Sequence, residues 1–135
     1  MESTFQFTNP TLREVVFKLN PRFVSEENRE IQIQMNMAVG VNKTDGKNEA
    51  LVELTCELGE ESDSFPFMIR ITEQASFRWE ESVSDKDAKQ MLNLNAPAML
   101  LSYIRPMVAQ ITAATPYGAY NIPFFNFIEE NREGE

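Results

Sequence analysis

Between Ile31 and Asn42 large apolar side chains recur at every second position, with small or polar residues between them. Ile31, Ile33, Met35, Met37, Val39 and Val41 stand against Gln32, Gln34, Asn36, Ala38, Gly40 and Asn42. A period of two over that length describes an extended strand, because a helix would scatter those residues around its axis. A strand so patterned has one face to bury and one to wet, so the fold must supply a sheet covered on one side.

The neighbouring segments repeat the pattern. Arg13, Val15, Phe17 and Leu19 alternate with Leu12, Glu14, Val16 and Lys18 to give a first, shorter strand. Ala50, Val52, Leu54, Cys56 and Leu58 share one face of a third strand, after a Lys43–Lys47 turn whose Asp45-Gly46 pair provides a positive φ. Phe65, Phe67, Ile69 and Ile71 open a fourth; Glu73 interrupts its apolar face and Phe77 and Trp79 resume it, so a bulge is expected between Glu73 and Ser76. Short turns make these neighbours antiparallel. The polar stretch from Pro21 to Glu30, relieved only by Phe23 and Val24, is long enough to carry the chain across the sheet between the first two strands.

From Ser84 onward the period changes. Ser84 with Asp87 caps a short helix to about Leu92, and Asn95 with Pro97 marks a second start. Leu100, Ile104, Met107, Val108 and Ile111 then fall at helical spacing as far as Ala114, with Pro106 expected to kink the helix or split it near Ser102. Thr115-Pro116-Tyr117-Gly118 ends it, an extended loop runs to Pro123, and a short last helix is expected near Phe124. The fold class is α+β in a single domain over residues 1–135: a four-stranded antiparallel sheet, a long helix packed on one face, and a short C-terminal helix.

Composition removes several function classes. The 135 residues include no histidine and one cysteine, which excludes imidazole-based catalysis, an internal disulfide and cysteine-cluster zinc sites. A net charge of −9 disfavours phosphate backbones as partners, so no nucleic acid is expected. The acidic pairs Glu60-Glu61 and Glu80-Glu81 read as solvated turns, and no phosphate-binding glycine loop or metal-ligand spacing occurs. No catalytic residues, metal or cofactor are therefore expected. Met1–Phe5 lacks the features of a secretory signal and no segment is long enough to span a membrane; with the single thiol, this points to the cytoplasm.

Two features are out of proportion. From Gln90 to Ile128 there is one charge, Arg105, in 39 residues, and Met99, Leu101 and Tyr103 make the helix apolar beyond a single stripe. The helix is either sandwiched inside a larger core or part of an oligomer interface. Tyr117, Tyr120, Phe124, Phe125 and Phe127 also crowd a loop, either as core under the sheet edge or as the lining of an apolar groove that Phe23 and Val24 could face.

Several segments, in order, resemble the SecB family of protein-export chaperones: Thr4-Phe5-Gln6, Arg13–Phe17, Leu58-Gly59-Glu60-Glu61, Leu101–Arg105, and Pro116 to Phe127. The resemblance implies an ATP-independent holdase, a homotetramer built as a dimer of dimers with the long helices between two sheets. Non-native polypeptides would lie in a groove between the crossover loop (Pro21, Phe23, Val24) and the loop after the long helix (Tyr117, Tyr120, Ile122, Phe124, Phe125). Leu101, Ile104, Arg105 and Val108 would form the oligomer interface. Glu14, Leu58 and Glu60 match an acidic patch by which the family docks on the motor ATPase of the Sec translocase, although Lys18 stands where well-known members carry an acid. The alternatives are a SecB-like chaperone dedicated to one partner, such as an antitoxin, and a non-chaperone oligomeric adaptor.

Overall fold

The alternating segments form one antiparallel sheet. In a computed structural model, which describes residues 4–25 and 31–127, the strands are β1 (Phe5–Phe7), β2 (Thr11–Leu19), β3 (Met35–Lys43), β4 (Glu49–Gly59) and β5 (Phe67–Trp79). The order is β1-β5-β4-β3, with β2 on the same edge of β5 as β1. β2 ends on one edge of the sheet and β3 forms the other, so the connection between them is the expected crossover. Ile31–Gln34, expected as strand, run extended but unpaired into β3, apart from the Gln34 carbonyl, which accepts the Gly59 N–H.

There are five strands rather than four because the first lane is interrupted. Phe5 pairs with Trp79 and Phe7 with Phe77, then the chain breaks at Thr8-Asn9-Pro10 and resumes with Thr11 opposite Gln74. Pro10 has no N–H for a ladder. Thr8 seals the gap by donating its N–H to the Ser76 carbonyl and accepting the Ser76 N–H on Oγ1.

The bulge expected between Glu73 and Ser76 lies instead in the partner strand. β5 alternates without a fault, and its odd-numbered residues from Phe67 to Trp79, Glu73 included, are buried. The register slips between Leu12 and Glu14, so Arg13 is the extra residue. Edge strands absorb an inserted residue more easily than central ones, because only one ladder is disturbed.

Two closures hold the sheet's turns. Gly46 takes a φ of 71° in the β3–β4 turn. Gly59 takes 68°, and the Phe67 carbonyl oxygen sits where its Cβ would be, so a side chain there meets both strain and a clash.

Ser84 caps α1 (Asp85–Gln90) as its spacing predicts, its Oγ accepting the Asp87 N–H. The second start at Asn95 is not a break. A π-turn (Met91–Asn95) joins α1 to α2 (Ala96–Ala113), with the Ala96 N–H reaching back five residues to the Met91 carbonyl. The wider turn gives room just where Pro97 lacks an N–H. Pro106 is likewise absorbed, and α2 continues past it to Ala113 rather than splitting near Ser102. Chain expected to begin a helix near Phe124 is extended through Asn126; Phe127 is helical, and the rest of that expected element lies outside the described residues.

Helix α2 packs over β4 and β5. Val52, Leu54, Leu58, Ile69 and Ile71 meet Leu100, Ile104 and Val108, all at 0% exposure. Each such side chain withdrawn from water contributes roughly 1.5–3 kcal/mol, which fixes the helix on the sheet.

Candidate functional site

The chain after α2 doubles back along the helix, and two α2 side chains, with Thr115 just beyond its end, set its path. Thr112, fully buried, donates its hydroxyl to the Val108 carbonyl and accepts the Tyr120 N–H at 2.7 Å. Thr115 donates to the Thr112 carbonyl and accepts the Tyr117 N–H, closing a turn in which Gly118 takes a φ of 81°. Arg105 ends in a fork on two successive carbonyls, Ile122 at 2.9 Å and Pro123 at 3.0 Å. A guanidinium with its five rigid donors suits that task. The single charge in the uncharged stretch is therefore a clamp for the aromatic loop.

So clamped, the loop divides its apolar residues between inside and outside. Ile122 and Phe127 enter the core. Tyr120 is half-buried with its ring edge-on to Phe67, and Phe125 packs edge-on against Phe127 at 4.7 Å. Burial raises the Tyr120 phenol above its usual range. Phe124 projects outward, 86% exposed. Tyr117 meets Phe23 of the crossover loop edge-on, 5.6 Å between ring centroids, and Val24 beside it is 77% exposed. The aromatic loop is thus part core and part exposed. Ile122 is core, Tyr120 and Phe125 are half-buried, Phe23 and Tyr117 meet with Val24 exposed next in the chain, and Phe124 is exposed on the clamped loop. Rings presented this way can stack on apolar segments of an extended chain through area and quadrupole rather than by reading one sequence.

The residues matched to an acidic patch do not stay together. Leu58 is fully buried, because the even-numbered residues of β4 face the helix, so it is a core residue and not a surface contact. Glu14 lies on the opposite, wet face and accepts from Arg70 at 2.7 Å, which holds its carboxyl below the usual range. Glu60 is exposed and lends its backbone carbonyl to the Asn20 side-chain amide. Lys18 forms an ion pair with Glu61 at 2.8 Å. Opposite charges thus interrupt the patch.

The four residues expected at an oligomer interface are taken up within the chain. Ile104 and Val108 are 0% and Leu101 3% exposed in its own core, and Arg105 holds the loop. The helix presents Tyr103 outward, with Met99, Met107 and Ile111 half-buried. Phe7, Leu12, Val15 and Leu19 on the first lane, which sequence reasoning left unremarked as surface, are each 41–50% exposed. The alternation of Val15, Phe17 and Leu19 marked them as apolar, but nothing local says that the helix stops short of them.

Cys56 is buried, and desolvation pushes its thiol up to about 12, so it is inert as a nucleophile. No helix among the described residues is long and apolar enough to cross a membrane.

A family model described as the preprotein translocase subunit SecB matches residues 5–129. Among solved structures, the chain superposes on a SecB-like chaperone of Mycobacterium tuberculosis, determined in complex with a ChAD peptide from the HigA1 antitoxin. The TM-score is 0.72 at 11% identity, covering 90% of this chain and 91% of that one. A protein of unknown function from Streptococcus agalactiae aligns with a TM-score of 0.47 at 12% identity, covering 89% and 97%. No curated protein matches.

Proposed function

The chain belongs to the SecB family, and from that premise we propose that it is an ATP-independent holdase that binds non-native polypeptides on the surface flanked by Phe23, Val24, Tyr117 and Phe124. The observation that carries this reading is the edge-on contact between Phe23 and Tyr117. It joins the crossover loop, which exposes Val24, to the clamped loop, which exposes Phe124. The protein works in the cytoplasm as a homo-oligomer, a tetramer, with α2 contributing its outer residues Met99, Tyr103 and Met107 rather than the buried Ile104 and Val108. A denatured client diluted into buffer tests the holding step: scattering falls with added protein and does not change with ATP. Suppression that needs ATP, or none at stoichiometric protein, overturns it.

A second reading concerns the client. Of the positions matched to the docking patch, Leu58 is buried and Glu14 is paired with Arg70, and Lys18 beside it holds Glu61. That favours a chaperone dedicated to one partner, as in the M. tuberculosis relative bound to an antitoxin peptide, over one that delivers preproteins for export.

A further inference from the structure

The crossover loop leaves β2 through one buried polar side chain. Asn20 is 7% exposed, and its side-chain nitrogen donates to the Glu60 carbonyl and to the Phe65 carbonyl, each at 2.8 Å. A primary amide carries two N–H groups on one nitrogen, one for each carbonyl. The opposite orientation would set the amide oxygen against both acceptors, so the hydrogen bonds fix which way the group points. The backbone of Asn20 is held as well. Its N–H donates to the Pro66 carbonyl at 3.0 Å, and its carbonyl accepts the Phe23 N–H at 3.1 Å across the Pro21-Arg22 turn. One residue therefore ties the two ends of the β4–β5 turn to the root of the crossover loop.

Few side chains could take this place. A hydroxyl has one hydrogen to give, an ionised carboxylate has none, and an apolar residue would leave both carbonyls without a donor. Past this anchor the loop is lightly held. Among the described residues, the hydrogen bonds and ring contacts of residues 21–25 are two: the Phe23 N–H on the Asn20 carbonyl, and the Phe23 ring edge-on to Tyr117 at 5.6 Å. Pro21, Arg22, Val24 and Ser25 are exposed. Where Phe23 stands thus depends on the anchor at one end and the Tyr117 ring at the other.

We propose that Asn20 is the positioning residue of the client-binding surface: by fixing the root of the crossover loop to the β4–β5 turn, it sets Phe23 against Tyr117. This role rests on the holding function proposed above and adds the residue on which the shape of that surface depends. Asn20 itself, buried under the turn, acts through Phe23. A loop released at its root keeps its apolar side chains but presents them in many orientations, and ordering them on binding lowers affinity.

The test reads client affinity of the full chain by fluorescence anisotropy, with labelled lactalbumin, reduced and carboxymethylated so that it stays unfolded in buffer. Asn20→Asp keeps the size and removes the amide donors; it should weaken binding about tenfold while circular dichroism stays native. In a Tyr117→Ala background the same change should weaken binding less than about twofold, because the ring against which Phe23 is aligned is gone. Asn20→Ser keeps one donor and should fall between wild type and Asn20→Asp; it takes the place of Asn20→Asp in the cycle if that variant does not fold. Effects that add in full to those of Tyr117→Ala, or unchanged affinity in a less stable Asn20 variant, overturn the positioning role and leave the holdase standing. Wild type without affinity for the unfolded chain overturns both.

Discussion

Phe23 and Tyr117 lie 94 positions apart in sequence and meet edge-on at 5.6 Å, their planes 79° apart. This is the one aromatic contact tying the crossover loop to the loop after α2 among the described residues. An edge-to-face pair contributes roughly 0.5–1.5 kcal/mol beyond the area it buries. In a double-mutant cycle of Phe23→Ala and Tyr117→Ala, urea unfolding should give a coupling energy in that range. Additive effects within error would mean that the rings touch without holding the loops together.

The loop clamp has two polar anchors of different depth. Thr112→Val keeps the shape but leaves the Tyr120 N–H without its acceptor, which should cost about 1–3 kcal/mol in denaturant unfolding. Arg105→Met should release the Ile122 and Pro123 carbonyls and speed proteolysis between Thr115 and Phe127, with helix content kept. Equal proteolysis rates in wild type and Arg105→Met would remove the clamp from the account.

Charge on the wet face can be restored by one change. Lys18→Glu removes the cation paired with Glu61 and should raise affinity for a basic peptide several-fold at low salt, with the gain lost near ~0.3 M salt. Glu14 should stay ionised at a lower pH than an ordinary glutamate, because Arg70 lowers its pKa; its contribution to binding therefore persists as pH falls and fades only below that lowered value. Glu60→Lys should act in the opposite direction to Lys18→Glu. Calorimetric titration reads all three.

The strands were legible because alternation is a local signal, and β3, β4 and β5 follow it closely. Glu73 shows its limit. A charge on an apolar face looks like a register fault, and only the pairing of β2 with β5 reveals that Arg13 is the extra residue. Phe5–Phe7 is too short for a period to show, and it is held by Phe77 to Trp79, some 70 residues away. Asn95-Ala96-Pro97 resembles a helix start, yet a π-turn lets the helix pass, which depends on backbone hydrogen bonds that composition does not encode. Leu58 carried two conflicting signals; alternation put it in the core, the family likeness put it on a docking patch, and the core position is the one found. Arg105 was conspicuous as the only charge in its stretch, but its carbonyl partners lie 17 and 18 residues on and could not be read locally.

Burial also separates residues that hold the fold from residues free to bind. Tyr120→Ala and Phe125→Ala remove half-buried rings and should destabilise the protein by about 2–4 kcal/mol together, so any loss of binding they cause is ambiguous. Val24 and Phe124 carry no such burden, and their replacement should move stability by no more than about 0.5 kcal/mol.

The most direct measurement of the central claim is therefore light scattering of a denatured client diluted into wild type or into the Val24→Ser, Phe124→Ser double variant. With folding and oligomer size unchanged, the double variant should need on the order of ten times more protein for the same suppression, since two exposed apolar contacts of a peptide site are worth roughly a kcal/mol or more together. A variant that suppresses aggregation as well as wild type at every ratio would contradict the assignment of client binding to this surface.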